Sequence, residues 1–170
     1  MCRAVCVVFA VLVLPLGRGG EGSKPLTVVN ESGKSLALTE AAWKKLPRQT
    51  VKAKDHSGTL ATYEGVLVAA VLQEAGVPLG KELRGPRLAN CLLVEAADGY
   101  RVAFSLAEID PDMSEGVVLL ADRKDGKLLD AKEGPYRLVV PRDKRHSRWV
   151  RQVIRLSVQR PAGLAERPKD

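Results

Sequence analysis

The segment LANCLLVEAADGYRVAFSL, residues 88–106, restricts the fold more than any other part of the chain. Apolar and polar residues alternate on both sides of Asp98-Gly99. A period of two puts every second side chain on one face, so each flank is a half-buried strand. Asp-Gly supplies the left-handed backbone that a tight hairpin turn needs. The same punctuation recurs. QTVKAKD and TLATY flank His56-Ser57-Gly58, and VVLLAD and LLDA flank a turn at Asp125-Gly126. LTVVN, SLAL, RLVVP and WVRQVIRLSV add further short strands.

Helical signals are fewer. Thr39 can cap a helix over the following residues, with Glu40 in its first turn, Lys44 and Lys45 in its last, and Pro47 as its stop. EGVLVAAVLQEAGVPLG carries an apolar stripe of Val66, Leu67, Ala70, Val71 and Leu72. It ends at Gly76, and Pro78 prevents its return. LAEIDPD forms a short helical turn. Many short strands, two helices and no regular strand–helix alternation predict an α+β fold with a mixed or largely antiparallel sheet.

The chain has 170 residues. Its first part, MCRAVCVVFAVLVLPLGRGGEGS, has Arg3, an apolar run from Ala4 to Leu14, Pro15 and then glycines. That is the plan of a secretory signal over residues 1–22, and the run is short for a membrane span. A domain over 23–160 and a disordered tail over 161–170 follow. The expected location is outside the cytoplasm, periplasmic or secreted, with no membrane span after signal removal. Cys2 and Cys6 leave with the signal, so Cys91 has no partner for a disulfide. Flanked by Leu92 and Val94, Cys91 reads either as a buried inert thiol or as a metal thiolate. NES at Asn30 is a glycan acceptor only in a eukaryotic secretory host.

Several chemistries lack support. The two histidines, His56 and His146, have no ligand partner at metal spacing, and no CxxC exists. GxSxG and GxxxxGK are absent. DPDMSEG has acidic residues near calcium-loop spacing, but Glu115 and Ala121 stand where Gly and Glu are required.

The chain carries 27 Lys and Arg against 20 Asp and Glu, a net charge of +7. GPYRLVVPRDKRHSRWVRQVIRLSV, residues 134–158, concentrates that charge in Arg142, Lys144, Arg145, Arg148, Arg151 and Arg155. Such a run is either a solvated face that keeps an edge strand soluble or a seat for an anion. Tyr136 and Trp149 are its only aromatics, too few for nucleic-acid stacking.

The order of motifs narrows this choice. TYEGVLVAAVLQEAGVPLG, then AADGYRVAFSLAEIDPD, then VVLLADRKDGKLLDAKEGPYRLVVPRDKRHSRWVRQVIRLSV resembles the molybdopterin-binding domain of the sulfite oxidase family, from Leu26 to Val158. The resemblance implies that family's α+β fold and a phosphate-bearing pyranopterin whose dithiolene holds molybdenum. It also implies oxidoreductase chemistry with a redox or protein partner. It places cofactor contacts at Arg145, His146 and Arg148, whereas Arg151 and Arg155 alternate differently along the chain and are expected to stay in solvent. Catalytic members carry a molybdenum-binding Cys on the strand before the Tyr/Trp-x-Gly motif. Counting back from Tyr63 reaches Lys52-Ala53-Lys54, where there is no Cys. His56 is the nearest potential ligand, and its plainer role is as a turn residue. The departure leaves two expectations: a molybdopterin-dependent oxidoreductase-like domain, or a non-catalytic binding module on the same fold.

Overall fold

A computed structural model describes residues 25–161. The expected signal and nearly all of the expected tail lie outside those residues. Two five-stranded sheets hold one apolar core. In the first, β1 (Leu26–Val29) pairs with β2 (Ser35–Leu38) and, in parallel, with β10 (Val153–Gln159). β10 also pairs with β5 (Cys91–Ala96), which forms the expected hairpin with β6 (Arg101–Ser105). The strand order is β2-β1-β10-β5-β6. On β5 the period of two buries Leu92, Val94 and Ala96.

The second sheet runs β3 (Arg48–Lys54), β4 (Leu60–Leu67), β7 (Leu119–Lys124) and β8 (Lys127–Leu128). β9 (Arg137–Val139) pairs with β7 as well. Asp125 and Gly126 adopt φ of 51° and 76°, the backbone that the Asp-Gly signal predicts for the β7–β8 turn. Of the expected LLDA strand only Leu128 is paired in β8, beside Lys127.

Three short helices complete the fold. In α1 (Glu40–Lys45) the Thr39 hydroxyl accepts from Ala42 N at 3.2 Å, as its sequence predicts. α3 (Leu106–Ile109) has a reciprocal cap between Ser105 and Glu108. α2 (Val68–Glu74) starts later than its apolar stripe suggests. Gly65, Val66 and Leu67 remain in β4, where they face Ala121, Leu120 and Leu119 of β7. Pairing with β7 therefore overrides helix periodicity in this stretch. The helix ends with Gly76 at φ 76°, Gly76 N donating to Gln73 O and Val77 N to Leu72 O, each at 2.9 Å.

The core is aliphatic, with Leu26, Val28, Val66, Leu72, Leu119, Leu120, Leu138 and Leu156 fully buried and Tyr63 among them. Asn30 is buried too. Its Nδ2 donates to Ala75 O and its Oδ1 accepts from Ser32 and Lys34. The folded chain thus uses the NES asparagine to hold the β1–β2 turn and does not present it as a glycan acceptor. Among the described residues no helix is long and apolar enough to cross a membrane.

Candidate functional site

The basic segment does not continue as one strand. After β9 the chain leaves the second sheet, makes a short 3-10 turn at His146–Arg148, and joins the first sheet at Val153. Gln152, at φ 48°, redirects the backbone before β10. This excursion forms one wall of a cleft of about 760 Å³. The opposite wall comes from the β5–β6 hairpin with Asp98 and Tyr100, and from His56 on the β3–β4 turn. A smaller cleft of about 390 Å³ adjoins it along Lys52, Ala53 and Lys54, and both share His56, Lys144, His146 and Trp149.

Hydrogen bonds fix this geometry. Trp149 is buried, and its Nε1 donates to Val140 O at 2.9 Å. His146 packs edge-on against that indole, with ring centroids 4.3 Å apart. His146 Nε2 lies 2.8 Å from Lys54 O. A carbonyl only accepts, so Nε2 carries the proton and Nδ1 is the nitrogen left for another contact. The Tyr100 hydroxyl donates to Ser147 O at 2.9 Å and ties the hairpin to the 3-10 turn.

His56 sits in the tight turn that its Ser57-Gly58 neighbours predict, with Gly58 at φ 84°. Asp55 organises that turn by accepting from Ser57 N, the Ser57 hydroxyl and Thr59 N. The Ser57 hydroxyl and the Lys124 ammonium, 3.0 Å away, hold the Asp55 carboxyl well below the usual carboxylate range. The result brings the two histidines, 90 positions apart in the chain, to a ring separation of 6.0 Å at the cleft edge.

The electrostatics of the larger cleft are one-sided. Lys132, Arg137, Lys144, Arg145 and Arg151 line it against the single carboxylate of Asp98. Among the described residues, only Arg137 of these cations makes an ion pair, with Glu133. Arg145 and His146 both line the cleft. Arg151 stays exposed, as expected, and also lines the cleft. Trp149–Gln152 is not strand, so strand alternation does not decide its direction. Arg155 is exposed on β10, as expected.

Arg148 differs from its expected role. Its Nε and Nη2 donate to Asp143 at 2.9 and 2.7 Å, and its Nη1 reaches both Glu108 oxygens. It also lies over the Phe104 ring at 4.4 Å. The Asp143 carboxylate, and then Glu108, raise its pKa further above the usual arginine range. Two carboxylates already balance this guanidinium, and it does not line the cleft. Its role in the geometry is to brace the basic loop against α3.

Arg137 is the site residue that sequence reasoning missed. Inside the apolar run RLVV it is only 2% exposed, yet it lines the cleft. Its guanidinium lies 5.6 Å from the centroids of both Tyr63 and Trp149. Its Nε and the Tyr63 hydroxyl are buried without hydrogen-bond partners. Burial also raises the Tyr63 pKa, so the phenol keeps its proton. The available signal was an arginine in a strand with no acidic cross-strand neighbour.

Comparisons with known proteins agree with the fold. Residues 27–162 match the family model described as the oxidoreductase molybdopterin binding domain. The chain belongs to that family. The crystal structure of the sulfane dehydrogenase SoxCD from Paracoccus pantotrophus is similar, with a TM-score of 0.62 and 24% identity. The match covers 83% of this chain and 39% of that one, so this chain spans well under half the length of its structural neighbour. That likeness shows the fold. No curated protein matches the chain.

The donor set fits one part of the family's cofactor better than the other. Lys and Arg side chains without an ion-pair partner among the described residues suit a phosphate-bearing pterin. A metal held by a protein thiolate is not matched. Lys52-Ala53-Lys54 of β3, where the resemblance leads one to look for a Cys, contains none. Cys91 lies on β5 opposite Ser105 and Gln159, half-buried and away from both clefts. Among the described residues no group of three or more His, Cys, Asp and Glu side chains could hold a metal.

Proposed function

We propose that this chain is an exported molybdopterin-binding, oxidoreductase-type domain that holds the anionic part of its cofactor in the basic cleft. The observation that carries this reading is the set of cations Lys132, Lys144, Arg145 and Arg151 around one cavity, without ion pairs among the described residues. Like charges gathered on one concave wall repel each other, and a bound anion relieves that repulsion. Arg145 and Lys144 attract the phosphate at the mouth. His146 is oriented by Lys54 O and presents Nδ1 to the cavity edge, while Trp149 gives a rigid apolar floor. Asp98 supplies a lone acceptor for a pterin N–H. When bound, the cofactor supplies the redox chemistry, and the protein positions it.

A second reading has its own observation. Lys52-Ala53-Lys54 replaces the thiolate-bearing position, which favours a module that binds an anion or a protein partner without metal turnover. Export rests on the plan of residues 1–22, and amino-terminal sequencing of the chain recovered outside the cytoplasm tests it.

The deciding experiment uses chain produced in a cofactor-competent host. Metal analysis for molybdenum is combined with pterin fluorescence after oxidation, for wild type and Arg145→Glu. Near-stoichiometric pterin in the wild type, lost in R145E, supports the cofactor reading. Pterin with molybdenum favours the oxidoreductase, and pterin without it favours the binding module. Well-folded wild type with neither overturns cofactor binding.

A further inference from the structure

We infer that the outer face of the second sheet is a docking surface for an anionic lipid bilayer, carried by Leu60 and Leu128 together with Lys52, Lys54 and Arg123. It stands on a different set of side chains from the cations that carry the cofactor reading.

Strand register defines the face. Residues opposite each other in an antiparallel pair point to the same side. Across β3 and β4, Lys54 is opposite Leu60, Lys52 opposite Thr62 and Thr50 opposite Glu64. Glu64 is opposite Arg123 of β7, and Arg123 is opposite Leu128 of β8. The alternate residues Ala53, Ala61 and Tyr63 are buried, so the set containing Leu60 and Leu128 points outward. Leu60 is 64% exposed and Leu128 69%, the two highest values among the large apolar side chains of the described residues. Lys52 and Lys54 are exposed and Arg123 is half-buried, and none of the three makes an ion pair among the described residues. Glu64 is the single acid in the set. The two hairpins that carry the leucines are tied together. Lys124 Nζ donates to Asp55 Oδ2 at 3.0 Å, and Thr62 N donates to Asp125 Oδ1 at 2.8 Å.

A single exposed leucine is ordinary on a protein surface. Here the two most exposed ones share a face with three cations that lack ion pairs, and that combination has a chemical match. Leu60 and Leu128 stand two strands and four residues apart, roughly 16 Å by strand geometry. The spacing decides the occupant. A protein partner seats its anchors in one central, desolvated cluster, whereas these two have charged groups between them. A second copy would bring a net positive face against itself. A bilayer interface accepts separated anchors. Its acyl boundary takes each leucine, and its phosphates meet the Lys and Arg head groups while their stems lie along the apolar layer. Anionic lipid adds attraction for each cation near the surface, in the direction of the chain's charge of +7.

The test is co-sedimentation of the full chain with vesicles of phosphatidylcholine alone and of phosphatidylcholine with about 30% phosphatidylglycerol. Wild type is compared with L60S/L128S, K52E/K54E and R145E. Residues 1–24 are common to all four, so differences among them report the folded surface. Wild type is expected to bind the anionic vesicles about tenfold more tightly than the zwitterionic ones. L60S/L128S and K52E/K54E should each lose about tenfold on the anionic vesicles. R145E, whose charge lies in the cleft, should stay within about threefold of wild type. Equal binding to both compositions overturns the proposal, and so does an L60S/L128S or K52E/K54E variant that binds like wild type. A loss in R145E with L60S/L128S unchanged moves the contact to the cleft and also defeats it. Binding to neither vesicle leaves the face to an acidic protein or to solvent, and the inference falls. No cofactor enters the readout, so the cofactor reading stands or falls on its own experiment.

Discussion

Asp122 shows how much one carboxylate can organise. It accepts from Trp43 Nε1 at 2.8 Å and from both Arg48 terminal nitrogens at 3.1 and 2.6 Å. Burial pushes its pKa up, but the Arg48 and Trp43 hydrogen bonds outweigh that and hold it below the usual value. The folded state therefore binds fewer protons here than the unfolded state. Its stabilisation is present above the ordinary aspartate pKa of about 4 and is lost as pH falls through the lower folded value. Asp55, also depressed, acts in the same direction. We predict that Asp122→Asn costs about 1–2 kcal/mol near neutral pH, discounted because Arg48 is partly exposed. It should also flatten the acid decline. Urea unfolding followed by tryptophan fluorescence between about pH 3 and pH 6 checks both, the window being set by the depressed pKa. An unchanged acid limb removes Asp122 from the account. At this scale the sequence was a poor guide. Nothing local marks Arg137 as buried in a cleft wall or Arg148 as neutralised by Asp143 and Glu108, because each depends on partners from other elements.

At the scale of elements, Gly65 leaves no room for a side chain between β4 and β7. A Cβ there would press into the Leu120 carbonyl and lie 2.6 Å from the Ala121 Cα. Backbone cannot step aside as a flexible side chain would. Gly65→Ala is predicted to cost about 3 kcal/mol or more, read from the denaturation midpoint. A loss below about 1 kcal/mol would mean that the β4–β7 bulge relaxes freely. The α1 cap is a milder case. Thr39→Ala should cost about 1 kcal/mol, and Thr39→Ser should restore most of it. If Ser and Ala behave alike, the hydroxyl bond to Ala42 N contributes nothing. Elements were legible wherever local chemistry decided them: the Thr39 cap, the Gly76 stop, and the Asp98-Gly99 and Asp125-Gly126 turns. They were not legible where partners decided them, as at Gly65–Leu67, which pairing with β7 keeps extended.

For the whole molecule, the main fact is that one excursion between β9 and β10 gathers cations from the chain's basic run against a hairpin and a turn. The cavity-lining Lys144 and Arg145 are exposed, so their attraction for an anion is screened by salt. Phosphate affinity is predicted to fall several-fold when ionic strength rises from about 20 to about 200 mM, a range over which the Debye length drops well below the cleft dimensions. A salt-independent affinity would locate binding away from these cations. The sequence by itself determined the fold class, the hairpins, the caps, the basic character and the family resemblance, since all follow from composition, period and motif order. Tertiary structure alone decided which charges face one another. Coulomb energy and hydrogen bonding act through space, and chain order leaves those distances open. Folding set Arg148 between two carboxylates, brought His56 to His146, turned Arg151 into the cleft, and buried Arg137 with one edge of its guanidinium still without an acceptor.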